Sequence, residues 1–213
     1  MKEETSNDKI KLLLDAYGVH ISPHLCASIR EYISILLRWN RAISLTTVTK
    51  PAEILKFHFG ESLFAGFAVP IISGRLADVG SGAGFPGLPL AMANPSLSVN
   101  LIESNLKKAT FLSEVIRKLQ LTGVNVIKAR MEDLPASAVG YDFVTARALG
   151  HHKELLSWAS GSLANDGKLV LWIGEDEANA ISRDRDWTWR KPIHIPGSAR
   201  RFLLVGTPGR RDE

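Results

Sequence analysis

A glycine-rich stretch between a short apolar run and a helix constrains the fold of this chain more than any other feature. It reads DVGSGAGFPG over residues 78–87, and a helical pattern follows over 88–93. Glycine tolerates positive φ and lets the backbone approach a ligand closely. In an open α/β sheet, ligands bind beyond the carboxyl ends of strands, where the strand order reverses. The stretch therefore predicts a first strand, a ligand-binding turn and a helix.

From residue 75 onward, short apolar runs alternate with helical patterns. The predicted strands cover 75–79, 99–102, 124–127, 141–146 and 168–173, with late apolar runs at 187–195 and 202–205. The predicted helices include 107–119, 152–163 and 175–182, and a turn is predicted at 165–167. Such alternation is typical of a parallel sheet with helices on both faces. We therefore expect a mostly parallel, Rossmann-like α/β sheet of seven strands, with the last two antiparallel at one edge.

The region before the first strand has a helical pattern throughout, with apolar side chains at helical spacing. Ser22 is a good N-cap for a helix whose first residue is Pro23. Another helix is predicted from about Pro51. We therefore predict an N-terminal helical extension over 1–69, packed on a core domain over 70–213.

The charge of the chain is unevenly distributed. Residues 181–213 carry eight Lys/Arg and four Asp/Glu, whereas residues 1–180 carry 18 of each sign. The whole net charge of +4 therefore lies in the last 33 residues. A local basic surface favours a polyanionic partner such as nucleic acid. A solvated basic tail fits the charge equally well.

Composition excludes several classes of protein. Hydrophobic residues make up 45% and charged residues 23%, as in ordinary globular proteins and unlike disordered or fibrous ones. No apolar run approaches the ~18 residues of a membrane span, and the polar start of the sequence has no signal-peptide pattern. The single cysteine, Cys26, cannot form an intramolecular disulfide, so a cytoplasmic location is expected. No Cys/His cluster has metal-ligand spacing, so no metal is expected.

Two cofactor hypotheses fit the glycine loop. The third possibility is a tight turn that binds no ligand. Residues 82–87 match the dinucleotide fingerprint G-x-G-x-x-G, and Glu103, 21 residues after Gly82, fits its ribose-binding acid. However, Pro86 removes a backbone N–H from the helix start that should hold a pyrophosphate. An acid at the strand end, Asp78, would repel a pyrophosphate but suits the sulfonium and amino groups of S-adenosylmethionine. Glu103 would then bind the ribose of this methyl donor, which the residues favour over a dinucleotide.

Side chains beyond the later strands add candidate site residues. Met131 and Glu132 follow the third strand, where the methionine would pack on an adenine. Arg147 follows the fourth strand, where its guanidinium could bind a cofactor carboxylate or an RNA phosphate. Glu132 could instead be an ordinary acidic residue of a loop, and Arg147 could instead form a structural ion pair. Lys107 and Lys108 open a helix, where the dipole disfavours cations, so phosphate binding and a solvated face both fit.

Several segments accompany the glycine loop in a fixed order. They are LRWNRAISLT at 37–46, His58-x-x-x-Ser62-Leu63, DVGSGAGFPGLPL at 78–90, Glu103-Ser104-x-x-Lys107-Lys108-x-x-Phe111-Leu112, Ala129-Arg130-Met131-Glu132 and Thr145-Ala146-Arg147-Ala148. Over residues 8–205 this pattern resembles the RsmG (GidB) family of bacterial small-subunit ribosomal RNA guanine-N7 methyltransferases. The Phe-Pro-Gly ending of the loop, together with the upstream W-N-x-x-x-x-L-T pattern, makes the resemblance specific.

The resemblance implies a class I S-adenosylmethionine-dependent methyltransferase fold and methyl transfer to N7 of one guanine in 16S ribosomal RNA. It implies cofactor contacts at Gly80, Phe85, the Met131–Glu132 pair and Arg147. The full set of expected cofactor-binding residues is Gly80, Ser81, Gly82, Phe85, Glu103, Met131, Glu132 and Arg147. The expected RNA-binding residues are Arg147, Lys107, Lys108, Arg200 and Arg201.

Three positions depart from the family pattern. Phe57 stands where an arginine is usual, Ser44 replaces the first residue of N-L-T, and a lysine after the fifth strand is replaced near 172–174. These departures bear on RNA contacts and leave the cofactor assignment intact.

The implied chemistry needs little from the protein in the way of acids and bases. Guanine N7 has a free lone pair, so its attack on the sulfonium methyl requires no general base, and we assign no catalytic residue. Positioning and electrostatics would supply the catalysis. We expect a monomer acting on 16S ribosomal RNA or the small subunit, with no membrane and no metal. An NAD-binding Rossmann oxidoreductase and a non-catalytic RNA-binding protein on this fold are the alternatives.

Overall fold

The computed structural model describes residues 5–135, 140–147 and 150–209. Before residue 70 it is helical, with α1 (Asn7–Asp15), α2 (Pro23–Trp39), α3 (Pro51–Ile54), a π-helix (Leu55–Gly60) and α4 (Glu61–Ala68). The Ser22 hydroxyl accepts a 3.1 Å hydrogen bond from the amide of Leu25, which confirms the predicted cap of α2. Within the described ranges, no helix has both the length and the hydrophobicity to cross a membrane.

The helix predicted from Pro51 runs to Ala68, but its middle is a π-helix. At Gly60, in this π-helix, an added Cβ would overlap the ring of Tyr17, so glycine allows the end of α1 to approach closely. Single π-turns inside helices are frequent at functional sites. This one carries His58, which contacts the glycine loop.

The sheet is mostly parallel, with strand order β3-β2-β1-β4-β5-β8-β6 and β7 paired to β8. Its strands are β1 (Gly74–Val79), β2 (Leu97–Ile102), β3 (Val124–Ile127), β4 (Tyr141–Arg147), β5 (Leu163–Gly174), β6 (Trp187–Trp189), β7 (Ile193–His194) and β8 (Arg201–Pro208). β1 pairs in parallel with β2 on one side and β4 on the other, so the strand order reverses there. A reversal of this kind opens a crevice at the carboxyl ends of the strands.

The late apolar run at 187–195 forms two short strands, so the described part of the sheet has eight strands where seven were expected. Pro192 lies between them, and proline has no N–H for a strand ladder. β6 and β7 both pair antiparallel with β8 at the edge, which confirms the expected pairing. The turn predicted at 165–167 lies inside β5, whose pairing with β4 shifts register between Tyr141 and Phe143.

Helices cover both faces of the sheet, as predicted. They are α5 (Gly87–Ala93), α6 (Leu106–Lys118), α7 (His152–Ser162) and α8 (Glu175–Ile181). Successive residues of β1 point to opposite faces, so Leu76 joins the hydrophobic cluster of α5 and α6, whereas Ala77 joins that of α7 and α8.

The N-terminal helices share one hydrophobic cluster with α5, α6 and a face of the sheet. Tyr32 of α2, Phe59 of the π-helix and Phe111 of α6 are all fully buried in it. At its border, Nε1 of Trp39 donates a 2.7 Å hydrogen bond to Oε2 of Glu114 on α6. The N-terminal extension and the rest of the chain therefore share one hydrophobic core. The division of the chain into two domains at residue 69 stays a prediction.

Candidate functional site

A cleft of about 330 Å³ opens at the carboxyl ends of the parallel strands, and its size suits a small molecule. Its walls come from the segments that follow β1, β2, β3 and β4. The lining residues are Val79, Gly80, Ile102, Glu103, Ser104, Ala129, Arg130, Met131, Glu132 and His151. Four predicted cofactor-binding residues therefore meet here, namely Gly80, Glu103, Met131 and Glu132.

The glycine loop reaches the cleft at Gly80, which has φ 68°. A side chain at this angle would strain the backbone, so glycine suits the turn. Farther along, an added Cβ at Gly84 would overlap the Tyr32 hydroxyl and the Leu88 side chain. The first glycine thus shapes the turn at the cleft, and Gly84 lets the loop lie against the N-terminal helices.

Glu103, just after β2, ties together two backbone segments of the cleft. Its Oε2 accepts a 2.9 Å hydrogen bond from the amide of Gly82, and its Oε1 accepts a 2.8 Å bond from the amide of Asn105. The side chain is buried, yet it lines the cleft. A carboxylate has about four lone-pair sites, so it keeps acceptor capacity for a pair of hydroxyl groups such as those of a ribose.

Asp78 does not line the cleft, in contrast to the acid expected beside a ligand. Its Oδ1 accepts a 2.9 Å hydrogen bond from the Thr145 hydroxyl, and its Oδ2 accepts a 3.2 Å bond from the amide of Gly87. Burial raises the pKa of Asp78 to about 6, against the lowering effect of these hydrogen bonds. Asp78 therefore fastens the glycine loop and the start of α5 to the sheet.

The wall opposite the glycine loop is a single 3₁₀ turn over Met131–Asp133. Met131 is buried and belongs to the same hydrophobic cluster as Val79 and Ile102 at the ends of β1 and β2. Thioether and aliphatic groups beside backbone polar groups suit the flat, partly polar face of a nucleobase.

Three polar residues of the cleft lining were missed by the sequence analysis: Ser104, Arg130 and His151. Ser104 and Arg130 lie inside segments quoted for the family resemblance, next to residues that were singled out. His151 follows β4 and precedes α7, a place where functional side chains of such sheets commonly lie. Its position after a strand was the available signal.

Ser81 and Phe85 lie in the glycine loop but outside the cleft lining. The Ser81 hydroxyl donates a 2.7 Å hydrogen bond to the carbonyl oxygen of Asp78. The Phe85 ring stacks between Tyr32, at 5.3 Å between centroids, and His58, at 4.6 Å. Both side chains therefore hold the loop in place from inside the protein.

Arg147, at the end of β4, turns toward the N-terminal extension and does not line the cleft. Its Nη2 donates a 2.8 Å hydrogen bond to the carbonyl oxygen of Phe57 and lies 3.2 Å from Oε2 of Glu61. Oε1 of Glu61 accepts a 2.7 Å bond from Nη1 of Arg201. An ion pair with a fully buried carboxylate is thus the observed environment of this arginine.

Burial dominates the titration of this ion cluster. Burial raises the pKa of Glu61 and lowers that of Arg147. The positive charge of Arg147 lowers the pKa of Glu61 and the negative charge of Glu61 raises that of Arg147, so each partner opposes the effect of burial. Burial, with the nearby Arg147 charge, lowers the pKa of His58 to about 3. The His58 ring is therefore neutral near pH 7, and its Nε2 lies 2.8 Å from the Thr46 hydroxyl.

The basic C-terminal region divides between two ends of the sheet. Arg201 pairs with Gly174 at the carboxyl end of β5, so Arg200 and Arg201 lie at the edge where the cleft opens. Trp187 pairs with Pro208 at the opposite end, so the exposed Arg185 lies there. Arg210 and Arg211 lie outside the described residues.

The two lysines that open α6 also lie at the cleft edge, because this helix starts shortly after β2. Lys107 is exposed and Lys108 is half-buried. Their amides donate to Oδ1 of Asn105, the N-cap of α6, at 3.0 and 3.2 Å. Lys107, Lys108 and Arg200 therefore lie at the same edge of the sheet, and their assignment to RNA stays a prediction.

The backbone amides of the glycine loop are mostly occupied within the protein. The amides of Gly80 and Ser81 donate to the carbonyl oxygen of Ile102, and that of Gly84 donates to Ser81. At the start of α5, the amides of Gly87 and Leu88 donate to Asp78 and Gly84. A pyrophosphate would need such amides free, so this loop does not fit a dinucleotide.

No metal-binding site is found among the residues that the structure describes. No group of three His, Cys, Asp or Glu side chains there could hold a metal ion.

Comparisons with known proteins agree with this geometry. The profile of the GidB family, described as rRNA small subunit methyltransferase G, matches residues 25–196. A "Ribosomal RNA small subunit methyltransferase G" from Chloroflexus aggregans is 34% identical over 203 residues, 90% of this chain and 85% of that protein. The protein of the same name from Xanthomonas axonopodis pv. citri is 37% identical over 189 residues, 86% of this chain and 87% of its own.

Solved structures agree on the fold. A "SAM dependent methyltransferase" from Aquifex aeolicus superimposes with a TM-score of 0.58 at 19% identity, covering 74% of this chain and 97% of that one. A likeness at this identity shows the class I methyltransferase fold alone. The profile match and the two relatives, together with the cleft beside the glycine loop, show that the chain belongs to the rRNA small subunit methyltransferase G (GidB) family.

Proposed function

We propose that this protein transfers the methyl group of S-adenosylmethionine to N7 of one guanine in 16S ribosomal RNA. The observation that carries the proposal is the cleft in which Gly80 of the glycine loop meets the buried carboxylate of Glu103. Family membership supports the ribosomal RNA substrate, and the resemblance in the glycine loop supports guanine N7. S-adenosylmethionine, when bound, supplies an electrophilic methyl group on a positively charged sulfur.

The residues that line the cleft fit this cofactor. Glu103 would accept hydrogen bonds from the two ribose hydroxyls, because its oxygens keep free lone pairs beside their backbone bonds. Met131 and the backbone near Glu132 would hold the adenine from the opposite wall. Gly80 would let the backbone lie close to the cofactor, where a side chain would intrude.

The other expected cofactor residues support the site from behind. Gly82 holds Glu103 through its amide, while Ser81 and Phe85 fix the loop through contacts inside the protein. Arg147 would act through its ion pair with Glu61, which fastens the extension to the end of β4. These four residues would thus shape the cleft and leave the contacts to Gly80, Glu103, Met131 and Glu132.

The protein's part in the reaction would be to place the base and exclude water. Guanine N7 carries no proton at neutral pH, so no side chain needs to accept one. A fixed in-line approach to the methyl group lowers the entropy cost of the reaction. The target guanine would lie in an open or flipped-out structure, because the major groove of A-form RNA is too deep and narrow for side chains.

RNA would bind across the edge at which the cleft opens. Lys107, Lys108 and Arg200 border this edge, and Arg201 keeps about half of its side chain exposed beside Glu61. Cations of this kind bind phosphates irrespective of sequence. A ribosomal substrate also supports a cytoplasmic location, and we propose that the protein acts as a monomer.

Incubation of the purified protein with labelled S-adenosylmethionine and either naked 16S ribosomal RNA or 30S subunits tests the function. Mass spectrometry of nuclease fragments should find 7-methylguanosine in at least one substrate, at a single position. Calorimetry should show binding of S-adenosylmethionine and none of NAD. Binding of NAD without binding of the methyl donor, or methylation at another base atom, would contradict the proposal.

A further inference from the structure

We propose that Tyr32, in the N-terminal extension, is a positioning residue of the cofactor cleft that sets the conformation of the glycine loop. The inference rests on the proposed function, because it assigns the loop to S-adenosylmethionine. Tyr32 lies in α2, far from the cleft in sequence, and it is not one of the residues that line the cleft.

The hydroxyl of Tyr32 makes a direct bond to the loop backbone. Its Oη donates a 2.5 Å hydrogen bond to the carbonyl oxygen of Ala83, 51 residues later in the chain. Both residues are buried, and Tyr32 is 0% exposed. A buried carbonyl that loses its donor keeps the desolvation cost without the bond, so this bond favours one orientation of the Ala83 peptide.

The ring of Tyr32 supports the loop on either side of Ala83. It stacks on the ring of Phe85 with 4° between the planes and 5.3 Å between the centroids. At Gly84 an added Cβ would overlap the Tyr32 hydroxyl, so the loop backbone lies directly on the tyrosine. Ala83, Gly84 and Phe85 are thus held by one side chain of the extension.

The orientation of residues 83–85 affects the cleft through the neighbouring residue, Gly82. Gly82 precedes Ala83 and donates its amide to Oε2 of Glu103, the proposed ribose ligand. A rotation of the Ala83 peptide changes the backbone angles next to Gly82 and thereby the geometry of that bond. Tyr32 therefore acts on the cofactor through Ala83, Gly82 and Glu103, without touching it.

A phenylalanine at position 32 removes the hydroxyl and keeps the ring. Tyr32→Phe should raise the Kd for S-adenosylmethionine by roughly tenfold in calorimetry, equivalent to about 1.4 kcal/mol. The kcat at saturating cofactor and the KM for RNA should change less than about twofold, because the reacting atoms and the RNA surface are intact. Equal losses in kcat and in RNA affinity would overturn the proposal.

Tyr17→Phe is the matched control. Tyr17 is also a buried tyrosine of the extension, but its ring lies against Gly60 and not against the glycine loop. This variant also removes the hydroxyl of a buried tyrosine, and it should keep the wild-type Kd for S-adenosylmethionine. A rise in Kd in both variants would show a general effect of destabilisation and would overturn the assignment to Tyr32.

Hydrogen–deuterium exchange gives a readout that does not depend on activity. The amides of residues 80–85 should exchange faster in Tyr32→Phe than in the wild type, and at the wild-type rate in Tyr17→Phe. Unchanged exchange of residues 80–85 in Tyr32→Phe would refute the positioning role. If the wild type fails to bind S-adenosylmethionine, the proposed function fails, whereas the exchange comparison still decides whether Tyr32 holds the loop.

Discussion

The amide of Gly82 donates a 2.9 Å hydrogen bond to Oε2 of Glu103, across the cleft end of β1 and β2. This bond joins the two features of the sequence that most favour a nucleoside-containing cofactor, the glycine loop and the acid after the second strand. The ligand pocket is therefore preassembled, because the carboxylate is oriented by the protein before any cofactor arrives.

Glu103→Gln tests the carboxylate. The amide keeps the size of the side chain but loses the charge and one acceptor, so the Kd for S-adenosylmethionine should rise by ~10-fold or more, since a hydrogen bond to a charged group contributes about 1.5–3 kcal/mol. Asp142→Asn is the control, because Oδ2 of Asp142 accepts a 2.7 Å bond from the amide of Arg75 away from the cleft. Calorimetry on both variants should show weakened binding in Glu103→Gln alone.

Gly80→Ala tests the close approach of the backbone. Gly80 and Gly18 have nearly the same positive φ, 68° and 70°, but only Gly80 lines the cleft. Alanine at either position should cost about 1–2 kcal/mol of unfolding free energy through backbone strain. Only Gly80→Ala should also lose cofactor binding and methyl transfer. Full activity in Gly80→Ala would remove the cleft from the proposed mechanism.

Glu61→Gln tests the buried ion cluster. The carboxylate faces the guanidinium groups of Arg147 and Arg201, and its loss leaves Arg147 buried without a counter-charge. Removing one partner of a buried pair costs about 3–5 kcal/mol, to be measured by urea unfolding. Glu53→Gln breaks an exposed pair with Lys50 and should cost less than ~1 kcal/mol. Similar losses of unfolding free energy in the two variants would show that the buried cluster stabilises the protein no more than an exposed ion pair does.

His58 should make the protein less stable in acid. Its pKa is about 3 when folded, well below the ordinary 6.5, so the unfolded chain binds more protons between these values. The stability that His58 contributes is therefore present above pH 6.5 and is lost as the pH falls toward 3. The pKa of Asp78 is raised from 3.8 to about 6, so Asp78 acts in the opposite sense between these values. The raised pKa of Glu61 acts in the same sense as that of Asp78.

The variant His58→Gln separates these effects. Between pH 7 and pH 4 the wild type should lose more unfolding free energy than the variant, by an amount on the order of 2 kcal/mol. Parallel curves for the two proteins would show that His58 becomes protonated without cost in the folded state.

The proposed RNA-binding edge can be tested by removing two of its positive charges. Lys107→Ala with Arg200→Ala should raise the KM for RNA and lower the slope of log affinity against log salt by about 1 to 2. The Kd for S-adenosylmethionine should stay unchanged. Arg185→Ala removes one exposed charge at the opposite end of the sheet and should change neither quantity. An equal effect of Arg185→Ala would place the RNA elsewhere.

The fold could be predicted from the sequence because its strands and helices have local signals. The capping serine of α2 and the apolar runs of the parallel strands are recognisable one segment at a time. The break between β6 and β7 was missed because alternating apolar residues stand on both sides of Arg190, Lys191 and Pro192, although the proline is itself a signal for a break. The π-helix at 55–60 was not predicted, and its close contact with Tyr17 at Gly60 joins residues that are far apart in the sequence.

The residues of the cleft could be predicted as far as their position follows from their place after a strand. Gly80, Glu103 and Met131 line the cleft for that reason. Phe85 and Arg147 also follow strands, yet the extension turns both side chains away through Tyr32 and Glu61. Such long-range partners leave no trace in local spacing. His151 also follows a strand, but it lies outside the segments that resemble the family and was missed.

The hydrophobic cluster that crosses residue 69 has a consequence for dissecting the molecule. A fragment starting at residue 70 would bare the apolar undersides of α5 and α6, including Phe111, and leave the Ala83 carbonyl without its donor. Such a fragment should aggregate on expression rather than behave as a minimal enzyme. We therefore expect the extension, residues 1–69 of the 213, to be required for the rest of the chain to fold.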